Sequence, residues 1–190
     1  MEAGRGEEVG VSQEQFLLRA ATAEDVEVLS ALVRDSVLGL SSHDYSPEQL
    51  ESSLRHMFGV DTQLIADRTY YVVEAAGRPI ACGGWSRHRT LFRGDQYTDR
   101  SDDLLDPQTE AARIRAFFVH PDWARRGLAS LILKECATAA RAAGFRRLEL
   151  MSTLPGEPFY AQRGFQVLER VELTLPDGVR FPLTRMSKEI

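Results

Sequence analysis

The chain has 190 residues, 43% of them hydrophobic and 27% charged, and its 28 acidic against 23 basic side chains leave a net charge of −5. That length and apolar content suit one α/β domain with a full core, and the acidic balance supplies no basic face for nucleic acid. No apolar run approaches the ~20 residues of a membrane span and no hydrophobic signal core opens the chain, so a cytoplasmic location is the expectation.

Residues 1–14, rich in Gly and Glu, read as a flexible tail ahead of a single domain over 15–190. Phe16 to Ala20 gives a first strand. Thr22 to Asp25 resembles a capping box, and Val26, Leu29, Leu32 and Val33 form the apolar face of a helix expected to end near Gly39. A polar connection carries His43 and Tyr45; the ordinary reading is a solvated loop, the functional one contact with a substrate. Ser46-Pro47 opens a second helix. Tyr70 to Ala76 and Pro79 to Ser86 read as a hairpin about Gly77-Arg78, and Gly83 with Gly84 inside its second strand predicts a bulge or a close approach.

From Arg87 to Gln108 the periodicity is lost. Arg87, His88, Arg89 and Arg93 precede Asp95, Asp99, Asp102, Asp103 and Asp106, an arrangement that fits either self-pairing or a functional loop. Neither His88 nor His120 has a second ligand at metal spacing, so no metal site is expected. Cys82, in a predicted strand, and Cys136, on an apolar helical face, read as reduced core thiols.

Ile114 to Val119 is a buried strand closed by Pro121-Asp122, after which Leu128, Leu131, Ile132, Cys136, Ala139 and Ala140 keep helical spacing as far as Gly144. A helix start has main-chain N–H groups without partners and a partial positive charge. With Arg125 and Arg126 beside Gly127, which lacks a Cβ, that start suits a pyrophosphate. Taken alone, Arg-Arg-Gly also fits a solvated basic corner. Leu148 to Thr153 reads as another strand, Pro155 to Phe165 as a short helix ending at Gly164, and Gln166 to Leu175 with Val179 to Lys188 as a hairpin turning at Pro176-Asp-Gly178.

The pair V-x-P-x-x-x-x-x-G-x-A, from Val119 to Ala129, and F-Y-x-x-x-G-F, from Phe159 to Phe165, resembles the two signature blocks of the GNAT superfamily of N-acetyltransferases. The resemblance implies a mixed α/β (α+β) sheet of about seven strands flanked by about four helices. It implies acetyl-CoA as cosubstrate and a small-molecule or peptide amine as acceptor, without metal, nucleic acid or membrane, and leaves a homodimer open. Carried over by position, Phe117, Phe118 and Val119 line the pantetheine arm. Arg125, Arg126, Gly127, Leu128, Ala129 and Ser130 wrap the pyrophosphate, and Tyr160 sits by the sulfur. Ala124 departs from the family's usual Gln or Arg three residues before the Gly, and Thr153 stands where many members have Asn.

On that resemblance Tyr160 is the proton donor to the departing thiolate, since a phenol of ordinary pKa near ~10 stays protonated at neutral pH. The main-chain N–H of Val119 would stabilise the thioester oxygen. Glu157, His120 and Glu110 are candidates for a general base, and a water relay or an acceptor arriving as free amine needs none of them. In the charged loop, the acidic residues would attract an amine while Arg89 or Arg93 held an acidic group of the acceptor. Two other readings stay open: a catalytically silent CoA-binding or sensing domain, and a nucleotide-binding α/β domain of another kind, for which the glycine fingerprint is missing.

Overall fold

The structure, a computed structural model, describes residues 15–90 and 103–190; the predicted tail, and Arg93, Asp95, Asp99 and Asp102 of the charged loop, lie outside the described residues. Seven strands form one mixed sheet: β1 (Phe16–Ala20), β2 (Tyr70–Ala75), β3 (Arg78–Ser86), β4 (Ala112–Val119), β5 (Arg147–Ser152), β6 (Gln166–Thr174) and β7 (Arg180–Glu189). Their order is β1-β2-β3-β4-β5-β7-β6, and every neighbouring pair is antiparallel except β4–β5. Five helices pack on it: α1 (Val26–Leu40), α2 (Pro47–His56), α3 (Thr62–Ala66), α4 (Leu128–Ala142) and α5 (Glu157–Ala161). The mixed α+β sheet of seven strands is the expected fold, with one helix more than expected. That helix, α3, is a five-residue segment capped by Asp61, too short to show a period.

Successive strand residues face opposite sides of the sheet. Val72 and Cys82 join Leu29, Val33, Leu50 and Leu64 under α1, α2 and α3, whereas Val73 and Ala81 join Ile132, Cys136 and Tyr160 under α4 and α5. The two cysteines are therefore free, buried thiols on opposite faces. Each large apolar side chain so buried contributes about 1.5–3 kcal/mol.

Three glycines act through close approach. A Cβ on Gly39 would come within 2.4 Å of Pro121 Cγ, so this residue lets α1 lie against the turn after β4, and the helix ends beside it, at Leu40, as expected. A Cβ on Gly84 would lie 2.5 Å from the Thr69 carbonyl oxygen, and one on Gly83 would lie 2.5 Å from the Phe117 ring. The extra residue of the bulge belongs to the strand opposite. Cys82 pairs with Phe118 and Gly84 with Arg115, so Ala116 and Phe117 together face Gly83, and Ala116 has φ +55°.

Candidate active site

β4 and β5 are paired at Ala112–Leu148 and Arg113–Glu149, and beyond these positions they part. A parallel pair has no hairpin to hold its far ends together, so the bulged half of β4 and the end of β5 are free to separate. A cavity of about 760 Å³ occupies the gap, lined by residues 114–119 of β4 and 150–153 at the end of β5. Phe117 faces α5 across Gly83, with its ring 6.3 Å from that of Tyr160, and Phe118 faces the other side of the sheet, 5.9 Å from Phe58.

At one end the cavity reaches the start of α4. After Val119, Pro121–Trp123 form a single 3₁₀ turn that His120 caps, its Nδ1 accepting a hydrogen bond from the Asp122 N–H. Ala124 is extended; Arg125, at φ +64°, and Gly127, at φ +83°, then turn the chain into the helix. Gly127 is the N-cap and supplies no side-chain acceptor, so no side chain there covers the first-turn amides of a 15-residue helix. A Cβ at Gly127 would meet nothing within 4 Å. Open space, uncapped amides and the helix field fit an anionic group. Arg125, Gly127, Leu128, Ala129 and Ser130 all line this end. Arg126 does not; its guanidinium lies 4.6 Å above the Trp123 ring.

Arg163 is a cavity residue that the sequence reading passed over. It stacks on Phe159 at 3.8 Å and donates to Ser130 Oγ, tying α5 to the first turn of α4. Its signal was a basic side chain directly before the glycine of the second motif. Ser36, on α1, was missed too. It lines the cavity and its hydroxyl oxygen accepts the main-chain N–H of Val119 at 3.1 Å, so the donor expected to serve a thioester oxygen is already engaged.

Tyr160 lines the cavity between Phe117, Phe159 and Phe165. Burial raises its pKa above the usual phenol value, so it stays protonated through and beyond neutral pH. None of the residues considered as a base reaches the cavity. The Glu157 carboxylate accepts from Thr184 and then Arg170, and both hold its pKa below the usual range. Glu110 accepts from Arg89 and from the Asp106 N–H. Among the described residues, the ionisable side chains on the cavity wall are Arg115, Arg125, Arg163 and Tyr160. Arg115 is ion-paired with Asp61, whose carboxylate also caps α3 and is fully buried.

His43 is exposed, and Tyr45, its neighbour in the connection, is buried. Stacked on Phe181, Tyr45 donates its hydroxyl hydrogen to the Pro182 carbonyl while its oxygen accepts the Leu154 N–H. Neither residue lines the cavity. Tyr45 is a brace between α2, β5 and β7 in place of the substrate contact its loop position suggested. No group of three or more His, Cys, Asp or Glu among the described residues is placed to hold a metal ion, and no described helix is long and apolar enough to cross a membrane.

The site is thus a cleft between a parallel pair of strands opened by a bulge, with a glycine-started helix at one end and a buried tyrosine at the other. Residues 34–165 match the sequence model of the Acetyltransferase (GNAT) family, and the chain belongs to that family. No curated protein matches it in sequence. Among solved structures it is similar to the GCN5-related N-acetyltransferase of Rhodopseudomonas palustris at 22% identity and TM-score 0.69, over 95% of this chain and 100% of that one. The PaiA N-acetyltransferase of Thermoplasma acidophilum, solved with coenzyme A, aligns at 15% identity and TM-score 0.63 over 93% and 99% of the two chains. The YncA structure from Salmonella typhimurium, which holds acetyl-CoA, aligns at 15% and 0.60 over 92% and 93%. At these identities the likeness is one of fold.

Proposed function

We propose that the span 15–190 transfers an acetyl group from acetyl-CoA to a primary amine. The observation that carries this reading is the cleft itself. It runs between β4 and β5 from the uncapped start of α4 to the Tyr160 ring. Relatives of the same fold hold coenzyme A or acetyl-CoA.

Bound acetyl-CoA would supply an acetyl group activated as a thioester. The amides after Gly127, with Arg125 beside them, would hold its pyrophosphate, and Phe117, Phe118 and Val119 its pantetheine arm. Tyr160, kept protonated by burial, would hold the proton that the leaving sulfur needs. With the Val119 N–H engaged, the Ser36 hydroxyl is a group beside it that would donate into the cavity.

Calorimetric titration with acetyl-CoA and with CoA, followed by thiol release with an amine panel, tests the reading. Saturable binding and amine-dependent release are expected. Binding without release from any amine would instead make the protein a CoA-sensing domain, and absence of binding would reduce Arg125-Arg126-Gly127 to a structural corner.

A further inference from the structure

We infer that the acceptor is a small monoamine with an apolar body, taken up as the free base. This rests on the acetyl-transfer reading and adds the acceptor class to it. The wall away from α4 is made by Leu40, Met57, Phe58, Met151 and Pro155, with hydroxyls from Ser36, Ser41, Ser152 and Thr153. Arg125 and Arg163 lie at the α4 end, Arg115 is paired with Asp61, and among the described residues this wall presents no carboxylate and no imidazole. The nearest candidates are committed elsewhere: Asp61 sits behind Arg115, and Glu157, between the lining residues Gly156 and Pro158, turns to Thr184 and Arg170.

An ammonium ion entering such a wall loses water and finds no carboxylate among the described lining residues, and both effects favour its neutral form. For a monoamine that form is the nucleophile, so the cavity selects the reactive species and dispenses with a general base. For a polyamine or an aminoglycoside, each further ammonium would lose water and meet no carboxylate among the described lining residues. Size argues the same way, because a cleft of about 760 Å³ must also hold the acetyl-pantetheine end of the cosubstrate.

The chemistry balances without a protein base. A free amine forms its N–C bond as the C–S bond breaks, Tyr160 gives its proton to sulfur, and the proton left on nitrogen returns through water to Tyr160. Products are an acetamide and the CoA thiol.

Thiol release is measured with saturating acetyl-CoA against 2-phenylethylamine, hexylamine, spermidine, kanamycin and a lysine-containing peptide, from pH 6 to pH 9.5, with acetyl-CoA binding titrated separately. The expected kcat/KM for the two apolar monoamines exceeds that for spermidine and kanamycin at least 100-fold. It should rise about tenfold per pH unit toward the amine pKa near ~10, without the plateau near pH 6–8 that a carboxylate or histidine base would give. Leu40→Asp, at the partly exposed edge of the wall, should narrow the ratio at least tenfold by raising spermidine turnover. Preference of the wild type for spermidine, kanamycin or the peptide, or a plateau near neutrality, would overturn the inference. So would intact acetyl-CoA binding with no monoamine turned over. Absence of acetyl-CoA binding would remove the underlying reading itself.

Discussion

At the scale of single residues, Tyr160 and Ser36 differ in how far they can be read without coordinates. Tyr160 stands in a motif whose neighbours, Phe159, Gly164 and Phe165, announce it. Its burial among Phe117, Phe159 and Phe165 explains why it keeps its proton. Tyr160→Phe keeps the ring and removes the proton, so kcat should fall about 100-fold while acetyl-CoA affinity from calorimetry stays within twofold. Ser36 carries no local signal, because its hydrogen bond to Val119 joins residues 83 apart through packing of α1 on β4. Ser36→Ala leaves the Val119 N–H without its acceptor in a mostly buried place. The cost expected is about 1–3 kcal/mol, read from the urea midpoint. A denaturation midpoint unchanged by the substitution would mean that water replaces the hydroxyl.

Elements were legible where their own residues fix them. The helix start at Ser46-Pro47, the Gly178 turn at φ +86° and the apolar stripe of α4 are all local, and all stand where the sequence puts them. Elements defined by their neighbours were not. Gly83 marks the bulge, yet the extra residue sits on β4, and sequence alone gives no register between the two strands. Gly39 does stand one residue from the end of α1, but its contact with Pro121, 82 residues on, has no local signal. The same non-local logic joins β1, β2 and the start of α1. Arg19 donates to both oxygens of Asp25 at 2.7 Å and to Glu74 at 2.6 Å. Hydrogen bonds from Arg19 first, and from Thr22, bring the Asp25 pKa down to about 2 against the burial that opposes them. A carboxyl group with a depressed folded pKa stabilises the fold above its unfolded value near ~3.9 and loses that contribution as pH falls toward 2. Asp25→Asn should therefore cost about 1–2 kcal/mol at pH 7, and the stability gap to wild type should close between pH 4 and pH 2, followed by thermal denaturation at each pH.

For the whole molecule, the consequence of the fold lies in how its sheet is divided. Strands β1–β4 carry α1 and α3 on one face, strands β5–β7 close the other edge with α2 reaching across to β7, and within the sheet the two groups meet through the two paired positions at the base of β4 and β5. Beyond them the cleft walls are held by α4, by the Arg163–Ser130 contact and by the Tyr45 brace. A ligand lying in the cleft touches both groups, whereas the unfolded chain offers it no such surface, so binding must add to stability by mass action. At 100 times the dissociation constant the gain is about 2.7 kcal/mol, and at about 2–4 °C per kcal/mol for a chain of this size Tm should rise by about 5–10 °C with acetyl-CoA. Gly127→Glu supplies the control. Its φ of +83° makes any side chain strained there, although a Cβ would meet open space, so the variant should lose about 1–2 kcal/mol on its own. It should also place a negative charge where the pyrophosphate is expected, leaving a ligand-induced rise below 2 °C at the same acetyl-CoA concentration. A variant that melts lower yet shows the full wild-type rise would mean that the start of α4 is a structural turn and that the cosubstrate phosphates lie elsewhere.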